Sequence, residues 1–210
     1  MIIIGITGTL GAGKGTIVDY LVQKMGFQHF SVRGFISEEI IRRNLPVNRD
    51  TMTLVANDLR ANHSPSWIVD QLFKLAIKTG KNCIIESIRT PGEVLSLRKK
   101  GQFILFAVDA DPKLRFERIK KRGSETDQID FETFLSNEKR EMESIDPNKQ
   151  NIGKVVKMAD FVFANNQNIS DLEEKVEEVL VKLQISKGTL RSRKCGTQGT
   201  QISKDTLRLA

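Results

Sequence analysis

Short apolar runs alternate along the chain with longer stretches in which apolar side chains return every three or four positions, the pattern of βαβ units wound around a parallel sheet. The runs at residues 2–7, 27–31, 82–86, 103–109 and 160–164 predict five buried strands. Helical spacing predicts helices over 14–25, 34–44, 52–61, 66–79, 92–99, 112–122, 131–144, 152–158 and 170–183. Asp111-Pro112 and Ser170-Asp171 supply helix-start signals. The expected fold is α/β, a five-stranded parallel sheet between layers of helices. The polar stretch 123–130, which follows Lys120, Lys121 and Arg122, predicts a mobile loop, and the apolar periodicity stops near Leu183.

The first strand runs directly into Gly8-Thr9-Leu10-Gly11-Ala12-Gly13-Lys14-Gly15-Thr16 and then into an amphipathic helix. That context turns a glycine-rich string into a phosphate-binding loop. The glycines let the backbone turn tightly and aim successive N–H groups at phosphate oxygens, and the helix N-terminus adds a favourable field. Lys14 is placed to bridge the β- and γ-phosphates of ATP. The usual pattern sets Ser or Thr directly after the lysine to meet Mg²⁺; here Gly15 takes that position and the hydroxyl comes one residue later, in Thr16.

Two further strand ends carry chemistry. The third predicted strand ends in Ile84-Ile85-Glu86-Ser87-Ile88-Arg89, an acid and a base at the carboxyl edge of the sheet, where α/β folds bind ligands. Glu86 suits a hydrated Mg²⁺ or the acceptor, and Arg89 can clamp an acceptor phosphate with two parallel hydrogen bonds. Ser31-Val32-Arg33 at the end of the second strand adds Arg33 as another acceptor-binding candidate. Within the helical segment that follows, Asn57, Asp58 and Arg60 offer groups able to read a base or sugar. Arg115, Arg118 and Arg122 fall near one face of their helix, and Arg140 on the next helix could add positive charge to a transferring phosphoryl group. Asn165 follows the last strand, and His29 and His63 have no partners at metal-ligand spacing.

The Lys14-Gly15-Thr16 ending resembles that of adenylate kinases and related nucleoside monophosphate kinases. From Ile2 to about Leu183 the chain resembles the P-loop nucleoside/nucleotide kinase superfamily. Residues 84–93, 103–123 and 159–165 are similar to a little-characterised group often described as dephospho-coenzyme A kinase-like. The resemblance implies a three-layer P-loop NTPase fold with a helical acceptor-binding insertion around residues 34–61. It also implies a lid bearing Arg115, Arg118 and Arg122, a last strand and loop that cover the adenine near Asn165, and Mg²⁺ reached from Thr16 and Glu86 through water. Dephospho-coenzyme A kinases more often carry Ser or Thr after the lysine and an Asp after the second strand, where this chain has Ser31-Val32-Arg33. A hydroxyl acceptor benefits from such a carboxylate base, whereas an acceptor that is already a phosphate needs positive clamps. The expected activity is therefore transfer of the γ-phosphoryl of ATP to a nucleoside or deoxynucleoside monophosphate. Dephospho-coenzyme A, with Glu86 as base, is the first alternative, and a non-catalytic ATP-binding regulator the second.

Composition bears mainly on the C-terminal end. Among 210 residues the net charge is +7, but residues 186–210 hold six basic side chains against one acid, which leaves 27 basic and 25 acidic residues in the body. Residues 1–185 are thus read as one kinase-like domain with no need of a polyanionic partner. Residues 186–210 form a basic tail, read as disordered, with a surface for RNA or an acidic partner. The tail contains a near-duplicate, Gln184-Ile-Ser-Lys-Gly-Thr-Leu-Arg191 recurring as Gln201-Ile-Ser-Lys-Asp-Thr-Leu-Arg208. The first apolar run is too short to span a bilayer and follows no charged segment, so a cytoplasmic monomer or homodimer is expected. Cys83, in an apolar run, is expected as a buried reduced thiol, and Cys195 lies in the tail.

Overall fold

The computed structural model describes residues 1–124 and 128–186; the centre of the polar loop at 123–130, the basic tail beyond Ser186, Cys195 and most of the tail duplicate lie outside these described residues. The strands β1 (Ile3–Gly8), β2 (Gln28–Ser31), β3 (Cys83–Glu86), β4 (Phe103–Asp109) and β5 (Phe161–Ala164) form one sheet in the order β2-β3-β1-β4-β5. All four pairings are parallel. Residues alternate between the two faces, as a parallel sheet covered on both sides requires. Ile3, Ile85 and Leu105 join one core cluster, while Ile4, Ile6, Ile84, Phe106 and Val108 join the other.

The helices α1 (Lys14–Gln23) and α9 (Ile169–Lys182) pack over the second cluster. The first cluster is covered by α2 (Val32–Arg42), α3 (Arg49–Asn62), α4 (Trp67–Lys78), α5 (Pro91–Lys100) and α8 (Ile152–Lys157). Helices α6 (Pro112–Arg122) and α7 (Phe131–Met142) lie against each other through Phe116, Phe131 and Phe134. Cys83 is a free, buried thiol, as expected.

Local capping decides where several helices begin, and it shifts three predicted boundaries. Ser31 accepts from the Gly34 amide, so α2 starts at Val32 and Arg33 sits in its first turn. Asn48 and Thr51 form a capping box that starts α3 at Arg49, three residues before the expected position. At α9 the cap is Asn168, which accepts from the Asp171 amide, and Ser170 lies inside the helix. The Asp111-Pro112 signal caps α6 as read, and Thr90 and Glu93 make a capping box at the head of α5.

Candidate active site

The parallel sheet sends every strand's carboxyl end to one edge, and the chemistry-bearing segments collect there. The chain leaves β1 through Thr9–Gly13 and enters α1 at Lys14. Gly13 caps the helix at φ 106°, and a Cβ there would collide with the Asn165 side-chain amide. At Gly11, φ is +78° and a Cβ would fall 2.5 Å from the Arg115 carbonyl oxygen. Both positions therefore need glycine, for the left-handed backbone and for the close approach. Gly15 differs: nothing lies within 4 Å of a Cβ built on it, so its missing side chain widens the cleft rather than relieving a clash.

The loop is tied down from outside. Thr9 Oγ1 donates to Asp109 Oδ1 at the end of β4, Asn165 Nδ2 donates to the Ala12 carbonyl at 2.8 Å, and Arg115 Nη1 donates to the Leu10 carbonyl at 3.3 Å. Lys14 Nζ donates to the carbonyls of Gly8 and Thr9 at 3.0 and 2.8 Å. Burial, and then the nearby charge of Arg89, bring the Lys14 ammonium down to about 8, against the opposing pull of Glu86 and Glu141.

A cleft of about 520 Å³ opens over this loop and is lined by Leu10, Gly11, Gly13 to Thr16, Arg33, Glu86, Ser87, Arg89, Arg118, Arg122 and Asn165, among others. Of the nucleotide-binding residues expected from sequence, Gly8, Thr9 and Ala12 do not line it: Thr9 is turned to Asp109 and Ala12 is fully buried in the core. Ser87 sits at φ 72°, a conformation costly for a residue with a Cβ, while its amide and that of Ile88 both donate to the Ile6 carbonyl. The chain turns there, between Glu86 and Arg89, and both of these side chains reach the cleft.

A second, narrower cavity adjoins the first, and Leu10, Arg33, Ser87 and Arg89 line both. Its other walls come from α2 and α3: Val32, Ile36, Met52, Thr53, Ala56, Arg49 and Arg60, closed by Glu141 and Gln150. Glu141 Oε1 accepts from Arg49 Nη2 at 2.6 Å and its Oε2 from Arg89 Nη1 at 2.8 Å, and Arg89 Nη1 also reaches Gln150 Oε1 at 2.6 Å. Burial alone would raise the Glu141 carboxyl; Arg89 and Arg49 hold it below the ordinary carboxylate range. Arg33 has no hydrogen-bond or ion-pair partner among the described residues.

Several expected positions lie elsewhere. Asp58 is bound to Arg43 at 2.7 Å and lines neither cavity, because it falls on the outer side of α3. Arg140 is exposed, donates to Asn137 one turn back, and also lines neither. Arg115 does not share the open face of Arg118 and Arg122: it is 1% exposed, paired in two places with Glu138 and stacked over Phe134. Arg118 donates to the carbonyls of Asn165 and Gln167, beside the loop after β5. His29, expected as a structural or surface residue, lines neither cavity, and its Nε2 lies 3.4 Å from Glu86 Oε2. Burial would raise Glu86, but His29 and the Lys14 charge lower it overall.

Arg49, Glu93, Glu138, Glu141 and Gln150 were not among the expected site residues. Only Glu93 carried a readable signal, the Thr90-x-x-Glu93 capping-box spacing. The others are joined by contacts between segments 23 to 92 residues apart, which no local spacing encodes.

The residues present fit a nucleoside triphosphate with Mg²⁺. Left-handed glycines turn the loop at Gly11 and Gly13, the Lys14 ammonium is held against the Gly8 and Thr9 carbonyls, and Lys14, Thr16 and Glu86 line the same cleft. No group of three His, Cys, Asp or Glu side chains among the described residues could cage a metal by itself. That suits Mg²⁺, which keeps its waters and is held largely by phosphates.

Sheet order, loop and cleft together define a P-loop protein with a kinase-like fold. A protein-family profile described as an AAA domain matches residues 4–146. The UPF0200 protein of Methanococcus vannielii is 30% identical over 186 residues, covering 87% of this chain and 97% of its own length. The chain belongs to the UPF0200 protein family. Among solved structures, a gluconokinase from Sinorhizobium meliloti 1021 superposes with a TM-score of 0.54 at 13% identity, covering 87% of this chain and 93% of its own. Shikimate kinase from Bacteroides thetaiotaomicron does so with 0.53 at 14% identity, covering 87% and 98%. At these identities the likeness is one of fold, and their acceptors are not carried over.

Proposed function

We propose that this protein transfers the γ-phosphoryl group of ATP to a nucleoside or deoxynucleoside monophosphate. The observation that carries this reading is the pair of arginines, Arg33 and Arg89, at the junction where the phosphate-loop cleft meets the second cavity. A cation shared by both chambers is where an acceptor phosphate would meet the transferring group. Counting the charged side chains on the acceptor side, Arg33, Arg49, Arg60 and Arg89 stand against Glu141 and the Glu93 paired with Arg60. The surplus of two positive charges matches the roughly −1.5 to −2 of a phosphate monoester.

In this reading backbone N–H groups of Gly11–Thr16 hold the triphosphate and Lys14 offsets charge on its β- and γ-oxygens. Mg²⁺, bound with the nucleotide and reached from Thr16 and Glu86, supplies further charge neutralisation. Arg33 and Arg89 orient the acceptor, and Arg118 and Arg122 flank the nucleotide side of the cleft. Positioning and electrostatics provide most of the acceleration. A hydroxyl acceptor such as dephospho-coenzyme A would need Glu86 as base. The depressed basicity of Glu86, held by His29 and Lys14, disfavours that alternative.

ADP release measured with each monophosphate and with dephospho-coenzyme A tests the assignment. A monophosphate should raise turnover well above the Lys14→Ala protein, and Arg89→Ala should raise the acceptor KM by roughly tenfold or more. Should no monophosphate exceed the Lys14→Ala background while ATP still binds, the reading is lost.

A further inference from the structure

Arg89 is fastened through main chain and side chain alike, and the pattern leaves one edge of its guanidinium over. Its backbone amide donates to Glu93 Oε2 at 2.7 Å, and its carbonyl accepts from the Asn151 amide at 2.8 Å. On the side chain, Nη1 donates to both Glu141 Oε2 and Gln150 Oε1, at 2.8 and 2.6 Å. A terminal guanidinium nitrogen carries two hydrogens, so both of those on Nη1 are taken. Nε and Nη2 make no hydrogen bond among the described residues, and neither is buried, in a side chain that lines both cavities. Together they form the flat edge whose parallel N–H groups fit two oxygens of one phosphate.

The residues that hold Nη1 are themselves held. Glu141, 8% exposed, also accepts from Arg49 Nη2 at 2.6 Å. Gln150 adjoins Asn151, which is buried, caps α8 at the Lys154 amide and donates from Nδ2 to the Ser144 carbonyl at 2.7 Å. The segment between α7 and α8 is therefore pinned where Gln150 leaves it. Arg33 lines the same two cavities without any such anchor. An arginine that is free gives up rotamer entropy when it binds a ligand, and one already fixed gives up less.

We propose that Gln150 is a positioning residue: together with Glu141 it holds Arg89 by Nη1, so that the Nε–Nη2 edge meets the acceptor phosphate already oriented. With Glu141 alone the guanidinium could swing about a single contact. Gln150 is neutral, so it fixes the second direction without cancelling charge that the phosphate needs. This rests on the monophosphate-kinase reading above and adds the residue that aims its clamp.

The test is steady-state kinetics on the full chain with the monophosphate of highest turnover. Gln150→Met keeps the length of the side chain and removes the amide oxygen. It should raise the acceptor KM by roughly threefold to tenfold, the scale of one hydrogen bond, while the KM for ATP does not follow. Gln150→Ala is the second variant, and stabilisation of each by ATP on thermal unfolding reports that it is folded. In an Arg89→Ala background the same replacements should add nothing, since Gln150 acts through Arg89. Arg89→Lys keeps the charge but loses the edge, and should resemble Arg89→Ala in acceptor KM. A merely structural role would raise both KM values together, or cost the same with and without Arg89. Either of those results, an unchanged acceptor KM in the folded Gln150 variants, or an Arg89→Lys protein with the parent's acceptor KM overturns the inference and leaves the monophosphate reading standing. No turnover with any monophosphate removes both.

Discussion

Lys14 carries the most distinctive electrostatics of the site. Its ammonium is withdrawn from water and crowded by Arg89, which brings it from the ordinary lysine value of 10.5 down to about 8 in the protein without nucleotide. A triphosphate would restore the charged form, so binding and protonation are linked. The sign follows directly: below about pH 8 the lysine is already charged and ATP affinity should be flat. Above it, free protein increasingly holds neutral lysine and must take up a proton on binding. The Kd for ATP should then rise by up to about tenfold per pH unit, until the lysine of the complex itself titrates. Calorimetry from pH 6.5 to 9.5 in buffers of different ionisation enthalpy would show it as proton uptake that begins near pH 8. An affinity independent of pH across that range would contradict the burial of Lys14. Replacing Lys14 by Ala should lower turnover by roughly 10²–10³-fold, the scale for losing one preorganised charge-stabilising donor.

At the scale of elements, what sequence spacing could resolve was the period of each segment, and what escaped was the partner each side chain would choose. All five strands and the order of helices follow from alternation and three-to-four spacing, because those periods reflect one buried face. The phosphate loop was legible since its function is a property of contiguous backbone. Arg115 and Arg140 were misplaced because helical spacing says which residues share a face but not which face turns inward. The structure assigns them opposite parts. Arg115 ties α6 to Glu138 of α7 and to the Leu10 and Ala110 carbonyls, whereas Arg140 reaches only Asn137. Arg115→Ala would leave the Glu138 carboxylate and two carbonyls without their donor, a loss of about 3 kcal/mol by analogy with broken buried pairs. That corresponds to roughly 6–12 °C in thermal midpoint for a chain of this size. The KM for ATP should rise as well, since Leu10 belongs to the phosphate loop. Arg140→Ala should shift stability by less than about 0.5 kcal/mol and leave turnover intact. Urea unfolding and steady-state kinetics on both variants separate the roles, and a kinetic defect in Arg140→Ala would return that residue to the site.

For the whole molecule, the issue is whether catalysis and basicity belong to the same part of the chain. Among the described residues, the two cavities, the two core clusters and the five strands are built from positions up to 186. No helix among the described residues is long and apolar enough to cross a membrane. Residues 187–210 hold six of the 33 basic side chains and one of the 26 acids, and removing them takes the net charge from +7 to +2. Polyanion binding through phosphate contacts falls steeply with salt, by about one power of salt concentration for each contact. A chain ending at Ser186 should therefore keep its ATP turnover and thermal midpoint, since it retains every described residue that lines the two cavities. Its affinity for heparin or single-stranded RNA should drop, and with it most of the salt dependence, because the remaining body is close to neutral. Fluorescence anisotropy with a labelled oligonucleotide between 50 and about 300 mM salt measures both. If the truncated chain binds RNA as tightly as the full one and with the same salt slope, the basic surface lies on residues 1–186, and the arginines lining the cleft would be the first place to look.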